Sequence, residues 1–449
     1  MRKVYLFIRK ILKRSFDNIR NERLKENLLQ AVPFWIGSII TGIVAVLYAQ
    51  IFALGEHTLN RILNWNLWMI FIIAPVGFVL SWWLVKKYAP YAKGSGIPQV
   101  MAAVDLANPK DNHLIHKLLS LRIIIIKIVS SFVLVSSGGA IGREGPTIQI
   151  AGSIFRKVYE FLPAWWPKIS KKNMILTGAA AGLSAAFNTP LGGIVFAVEE
   201  LSKTHINYFK TALFTAVIIA GLTAQSLAGS YLYLAYPKTN DVTLWIMFPI
   251  IFVSGISGIL SSQLSVAMLK INRLKKKLKS DLSNIIFLVI SALIIASIAF
   301  FINRDILGSG KDIIERVLFS DDKIEAWYVP ILRMLGPALA FTSGGAGGIF
   351  APALSTGATI GSVFAGIMNL TDNETNVLIL AGMVAFLTGI TRAPFTSAIL
   401  VLEMTDRHSL IFHLMLAGMM SSIFSVLISR NSLYESLKTN FINDIIKHK

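Results

Sequence analysis

Three short glycine-containing segments each end in a proline, and their composition favours the binding of an anion. They are Gly94-Ser-Gly-Ile-Pro98, Gly142-Arg-Glu-Gly-Pro146 and Gly348-Ile-Phe-Ala-Pro352. Proline suits the first turn of a helix, and glycine lets the backbone turn sharply and approach a ligand closely. A helix N-terminus offers unpaired N–H groups and a partial positive charge. Three converging helix starts would therefore bind a small anion, whereas each segment alone is more typical of close helix packing.

Two glutamates lie within otherwise apolar sequence and are candidates for proton transfer. Glu144 belongs to the second segment, and Glu200 ends the stretch Asn188–Glu200. Carboxylates are costly in apolar surroundings and mark functional sites there. The structural alternatives are a buried pair of Glu144 with Arg143, and a position for Glu200 at a helix end near Lys203.

Composition places this chain in a lipid bilayer. Of its 449 residues, 54% are hydrophobic and 15% are charged, whereas soluble domains carry about 25% charged residues. The chain has no cysteine, which excludes disulfides and cysteine-ligated metals. His113 and His116 lack a nearby third ligand, so we expect no metal and no cofactor. No histidine base follows a Gly-x-Ser motif within an apolar run, so the sequence does not predict an enzyme.

The net charge of +19 follows the positive-inside pattern of membrane proteins. Residues 1–30 contain nine Lys or Arg and three acidic residues, which favours a basic amphipathic helix on the cytoplasmic surface. A second basic cluster runs from Lys270 to Lys279, for which a nucleic-acid-binding patch is the alternative. Apolar sequence on both sides favours a cytoplasmic linker near residues 270–281. We therefore place both termini in the cytoplasm and expect no nucleic-acid partner.

Apolar runs predict a polytopic all-α protein, because a helix that spans a bilayer needs about 20 residues. The long runs are Pro33–Leu54, Leu67–Val85, Ile123–Val135, Tyr208–Leu227, Leu244–Leu269, Ile285–Phe301 and Leu410–Ile428. Five others are shorter or interrupted and predict half-length helices: Met174–Phe187, Leu191–Val198, Phe350–Ile367, Val377–Ile390 and Phe395–Leu402. Half-length helices line protein-enclosed cavities and point to a transport site.

The two halves of the chain resemble each other. Residues 137–146 and 343–352 share six of ten residues at an offset of 206. At an offset of 204, four more pairs match: Gly178 with Gly382, Leu183 with Leu387, Pro190 with Pro394, and Glu199 with Glu403. Duplicated and often inverted halves are typical of secondary transporters. The shared glutamates at 199 and 403 predict a common structural role.

Two carboxylates break this symmetry, because Glu144 aligns with Phe350 and Glu200 aligns with Met404. The repeat predicts four parts of the chain. They are the basic helix of residues 1–30, a first membrane repeat over 31–235, a second over 236–430, and a C-terminal helix over 431–449.

Taken together and in this order, the three segments resemble the signature sequences of the CLC family of chloride channels and chloride/proton exchangers. Tyr434 in Ser-Leu-Tyr-Glu matches the family's late tyrosine, and Asn188–Glu200 is also similar. The resemblance covers roughly residues 30–437. It implies two inverted repeats with many tilted and partial helices, in a homodimer with one pore per subunit. Because 15 residues follow Tyr434, we expect a bacterial-type member without a nucleotide-binding regulatory domain.

The resemblance also implies roles for individual residues. The implied anion ligands are two hydroxyls and two backbone N–H groups: Ser95, Tyr434, Ile349 and Phe350. Glu144 takes the role of the external gate, which competes with the anion and leaves the site when it is protonated. Glu200 takes the role of the internal proton-transfer residue. The supporting positions are Gly94, Gly96, Pro98, Gly142, Arg143, Gly145, Pro146, Gly348 and Pro352.

The implied function is exchange of chloride and similar small anions for protons across the inner (plasma) membrane. A passive chloride channel is the first alternative, but channel members usually replace the inner glutamate, and Glu200 is retained. A fluoride/proton antiporter is the second, but such relatives vary the positions of Arg143, Ser95 and Tyr434. Nitrate and bromide would suit the same ligands as chloride.

Overall fold

The computed structural model describes residues 22–163, 165–201, 210–229, 232–239, 243–278 and 280–447. Within these ranges the chain is predominantly helical, and its two β-bridges are isolated pairs, Gly94 with Ala346 and Gly142 with Gly348. The basic helix predicted for residues 1–30 lies mostly outside the described residues.

The helices fall into two sets, one before and one after residue 236. The first half contains α1 Glu22–Trp65, α2 Ile70–Tyr88, α3 Ile97–Asp105, α4 Ile115–Leu118, α5 Leu121–Ser136, α6 Glu144–Phe161, α7 Lys171–Phe187, α8 Pro190–Phe196 and α9 Lys210–Ala228. The second half contains α10 Met247–Lys277, α11 Asp281–Phe301, α12 Lys311–Phe319, α13 Val329–Thr342, α14 Phe350–Ile367, α15 Asp372–Thr391, α16 Pro394–Thr405, α17 Ile411–Val426 and α18 Leu433–Lys447. The basic cluster forms the last turns of α10 as far as Lys277, and cations at this end complement the helix dipole.

Among the described residues, nine helices are long and apolar enough to cross a membrane. Seven of them contain or largely overlap the predicted long runs, and the other two are α14 and α15. For these two helices the prediction of half-length elements was wrong, since they run without a break for 18 and 20 residues. Their glycines bring helices together instead of ending them, because a Cβ at Gly357 would lie 2.2 Å from the carbonyl oxygen of Gly382.

Burial separates a central pair of helices from a lipid-facing periphery. The apolar windows of α14 and α15 are 78% and 94% buried, whereas those of α2 and α11 are 33% buried. Large apolar side chains such as Ile72 and Ile290 are exposed on the outer helices. An outer surface of this kind suits hydrocarbon, and the inner helices are enclosed by protein.

Equivalent residues of the two repeats contact each other directly. Gly142 and Gly348, which are 206 positions apart, donate to each other's carbonyl oxygens at 2.8 and 2.7 Å. Gly138 and Gly344 share the same offset and the same left-handed conformation, with φ of 89° and 86°. A reciprocal contact between equivalent residues requires a local two-fold axis, so the halves are related by such an axis.

Glu199 and Glu403 confirm the structural role predicted for them. The Glu199 carboxylate accepts from the backbone N–H groups of Phe395 and Thr396 at 3.2 and 2.7 Å, at the start of α16. The Glu403 carboxylate accepts from Leu191 and Gly192 at 3.0 and 2.7 Å, at the start of α8. Each glutamate therefore caps the short helix of the opposite repeat, where a negative charge complements the helix dipole.

Replacement of either capping glutamate by alanine should destabilise the protein to a similar extent. Glu199→Ala and Glu403→Ala each remove a cap worth roughly 1–2 kcal/mol. The measurement is the midpoint of thermal unfolding in detergent, with Glu315→Ala as the control, because Glu315 pairs with Lys311 at the exposed surface. A loss in only one of the two variants would contradict the reciprocal capping.

Candidate functional site

The starts of α3, α6 and α14 are bound together by backbone hydrogen bonds. Gly94 donates to the carbonyl oxygen of Gly345 at 2.7 Å, and Gly347 donates to that of Gly94 at 3.1 Å. The exchange between Gly142 and Gly348 joins the other two starts. The prolines lie in the first turns as predicted: Pro98, Pro146 and Pro352. The three segments that sequence analysis selected therefore meet in one place.

Glycine is required where these segments approach most closely. Gly96 has a φ of 105°, which other residues rarely adopt. A Cβ at Gly145 would lie 2.1 Å from Ser95 Oγ, and a Cβ at Gly348 would lie 3.1 Å from the carbonyl oxygen of Gly142. A side chain at either position would push the helix starts apart.

Two buried hydroxyl groups lie beside these helix starts. Ser95 is 1% exposed and Tyr434 is fully buried, and neither hydroxyl has a hydrogen-bond partner within the described part of the chain. The two hydroxyls are close enough to interact, although they lack the geometry of a hydrogen bond. Leaving a buried hydroxyl unpaired costs about 1–3 kcal/mol, so the pair is suited to a ligand that accepts hydrogen bonds.

The Tyr434 ring is fixed by the helix start that it faces. It stacks on Phe350, the first residue of α14, with ring centroids 6.2 Å apart and planes 14° apart. Burial raises the pKa of Tyr434, an effect that the nearby Ser95 hydroxyl offsets in part. The phenol therefore remains protonated and able to donate. Ile349 and Phe350 open α14, where the first N–H groups have no partner within the helix.

The carboxylate of Glu144 lies between the starts of α6 and α14. Glu144 is 1% exposed, and its Oε2 has no hydrogen-bond partner among the described residues. A Cβ at Gly142 would lie 2.4 Å from that oxygen and 3.3 Å from the Ala351 nitrogen. The side chain therefore carries its acidic group to the positive end of α14, beside the position of Phe350. Arg143, the residue before it, adds a positive charge nearby.

Tyr233 is not among the predicted site residues, but its hydroxyl donates to Glu144 Oε1 at 3.1 Å. Tyr233 is 4% exposed and lies outside every helix, 89 positions after the glutamate. Tyr233 lies in none of the glycine-containing segments. The only sequence signal for it as a site residue is that it is an aromatic residue with a hydroxyl group.

Glu200 lies in a distorted helical turn. The helix α8 continues as a π-helical turn over Ala197–Leu201, and such turns are frequent at functional sites. Glu200 is partly exposed, and its charge acts on Tyr434. The alternative that Glu200 lies near Lys203 concerns a residue outside the described ranges.

A cavity of about 280 Å³ leads from Ser95 to the protein surface. It is lined by basic side chains that include Lys93, Lys275 and Lys276 and by the acidic Asp444, which pairs with Lys276 at 3.3 Å. Burial lowers the pKa of Lys93, and Asp444 offsets part of this effect. The excess of cations favours anions in this passage.

A buried lysine, also missed by sequence analysis, supports the loop before α3. Lys127 Nζ is completely buried and donates to the carbonyl oxygen of Ala92 at 2.9 Å and to Gln149 Oε1 at 2.6 Å. The amide of Gln149 in turn donates to the carbonyl oxygen of Leu118 at 2.8 Å. This network connects α5 and α6 to the segment that carries Ser95.

Comparison with known proteins identifies relatives over most of the chain. Residues 76–426 match the family model described as voltage gated chloride channel. The H(+)/Cl(-) exchange transporter ClcA of Citrobacter koseri is 29% identical over 418 residues, which cover 89% of this chain and 85% of the relative. The protein of the same name from Salmonella schwarzengrund is 27% identical over 445 residues, which cover 94% and 91%.

Solved structures share the fold. A slow cyanobacterial Cl-/H+ antiporter has a TM-score of 0.80 at 24% identity, with 92% of this chain and 98% of that chain covered. A CLC-type fluoride/proton antiporter has a TM-score of 0.76 at 18% identity, with the same coverage. The predicted all-α fold of CLC type is confirmed, and the chain is a multi-pass membrane protein.

Replacement of Gly145 by alanine tests whether these helix starts bind an anion, because the change would weaken such binding. The added Cβ would occupy the place of Ser95 Oγ, so we expect a loss in chloride affinity of at least about tenfold, or 1.4 kcal/mol. Calorimetric titration of the detergent-solubilised protein with chloride measures the change. Gly152→Ala is the control, because a Cβ there would meet its nearest neighbour at an ordinary 3.5 Å. Equal affinity in both variants would contradict the site.

Proposed function

Because the chain belongs to the voltage-gated chloride channel family, we propose that it exchanges chloride and similar small anions for protons across the membrane. The observation that carries this proposal is the position of Glu144. Its carboxylate lies at the start of α14, beside two buried hydroxyls that lack partners among the described residues. A protonatable anion therefore lies next to groups suited to a second anion, which links proton binding to anion binding.

The proposed anion site combines donors that each carry a partial charge. Its ligands are the hydroxyls of Ser95 and Tyr434 and the backbone N–H groups of Ile349 and Phe350. A helix N-terminus carries about half a positive charge, and hydroxyl donors suit any halide or nitrate. The basic cavity that ends at Ser95 supports the proposal as an access path for the anion.

Glu144 is the proposed gate of this site. As a carboxylate it is itself an anion and competes with chloride for the start of α14. Protonation removes its charge, so the side chain loses its attraction to the helix start and chloride takes its place. Proton binding and anion binding then alternate at a single position, which is the basis of exchange.

Glu200 is the proposed internal proton acceptor. It lies on the π-helical turn after α8, and it is absent from the residues that line the cavity leading to Ser95. Protons and anions would therefore enter by separate routes and meet near Tyr434. The names of the relatives, H(+)/Cl(-) exchange transporters, support coupled exchange over passive flow.

Reconstituted protein should pump protons uphill when a chloride gradient drives it. A pH electrode outside chloride-loaded liposomes measures this movement. Glu144→Gln cannot release a proton, so this variant should carry chloride without moving protons. Chloride flux without proton movement in the wild-type protein would indicate a passive channel, and no chloride flux at all would contradict anion transport. Substitution of fluoride for chloride tests that ion in the same assay.

Glu200→Gln should also uncouple protons from chloride, by a different route. The amide cannot pass a proton onward, so proton pumping should fall to the level of empty liposomes while chloride flux remains. Glu315→Gln is the matched control, because that glutamate pairs with Lys311 on the exposed surface. Normal proton pumping in Glu200→Gln would return Glu200 to a purely structural role.

A further inference from the structure

The hydrogen bond from Tyr233 to Glu144 joins the gate to a part of the chain that no signature segment contains. The phenol donates to Oε1 at 3.1 Å, while Oε2 points toward the start of α14. Both side chains are buried, with exposures of 4% and 1%. Bulk water therefore does not replace this bond readily, and the phenol acts on the carboxylate in a low-dielectric environment.

Tyr233 is held firmly although its segment is irregular. The backbone N–H of Leu234 donates to the carbonyl oxygen of Met404 at 3.1 Å, at the end of α16. Arg407 Nε donates to the carbonyl oxygen of Pro237 at 2.7 Å, and Asn376 Nδ2 donates to that of Lys238 at 2.8 Å. These three contacts fix the segment to the second repeat.

The ring of Tyr233 has its own packing partner, which separates the role of the ring from that of the hydroxyl. The ring contacts Phe187 edge to face, with centroids 5.1 Å apart. Phe187 in turn lies 6.2 Å from Phe350, whose ring stacks on Tyr434. A phenylalanine at position 233 would keep this aromatic row and remove only the hydrogen bond.

We propose that Tyr233 is a positioning residue that latches the Glu144 carboxylate in the place where it competes with the anion. This inference rests on the proposed function, in which Glu144 is the gate. A phenol that donates to a carboxylate stabilises the ionised form more than the neutral acid. When Glu144 takes up a proton the bond weakens, and the side chain is released.

Other charged and titratable groups also surround Glu144. They are Arg143 before it in the chain, Tyr48 and Glu56 on α1, and Tyr434 on α18. The ammonium group of Lys311 lies 5.2 Å from the centroid of the Tyr233 ring. The hydroxyl of Tyr233 adds a direct hydrogen bond to the carboxylate. Replacement of Tyr233 by phenylalanine removes this hydrogen bond and leaves the other groups in place.

The test is the pH dependence of chloride flux in Tyr233→Phe. Without the latch Glu144 takes up a proton more readily, so the midpoint of activation should move to higher pH by about one unit. Tyr48→Phe is the matched control, because it removes a similarly buried phenol hydroxyl near Glu144 that bonds Ser131 at 2.8 Å and not the carboxylate. The control should keep the wild-type midpoint.

A second background separates a latch from a general packing effect. In Glu144→Gln the carboxylate is absent, so adding Tyr233→Phe should leave chloride flux and its pH profile unchanged. An equal shift with and without Glu144, or a wild-type profile in Tyr233→Phe, would overturn the latch while leaving exchange intact. Absence of chloride flux in the wild-type protein would instead remove the proposed function, and the latch with it.

Discussion

The pairing of Gly142 with Gly348 is the constraint on which the site depends. Because these residues are equivalent in the two repeats and exchange two hydrogen bonds, they bring the positive ends of α6 and α14 close together. Like partial charges repel, so an anion placed between the two helix starts would reduce the electrostatic repulsion between them. The candidate site is therefore a consequence of the symmetry, since two helix N-termini that meet in this way create a position that favours negative charge.

The proposed function depends on a difference between the two repeats at these helix starts. Position 144 is a glutamate and its equivalent, position 350, is a phenylalanine. In the proposed mechanism the first half therefore supplies a charge that occupies the site, whereas the second half supplies the Phe350 ring on which Tyr434 stacks. At the capping positions both repeats contain glutamate, and each glutamate caps a helix of the other repeat.

The sequence alone predicted those parts of the candidate site that consist of residues close together along the chain. The three glycine-containing segments lie at helix starts as predicted, and matched repeat positions indicated a shared structural role for Glu199 and Glu403, although not that this role is helix capping. Helix length was harder to predict, because glycines such as Gly357 destabilise a helix in water but allow close packing between α14 and α15. Tyr233 could not be found, since its contact with Glu144 depends on tertiary hydrogen bonds to distant helices.

The absence of a cation from the proposed ligand set is as important as the groups that are present. A full positive charge beside a buried anion would bind it very strongly at low dielectric constant, and conduction needs sites that also release the ion. The nearby buried amino group of Lys127 donates instead to the carbonyl oxygen of Ala92 and to Gln149, and so holds the loop before α3. In the proposed mechanism, partial charges would leave the anion free to exchange, and the hydrogen bond from Tyr233 would favour the Glu144 carboxylate over chloride until the carboxylate takes up a proton.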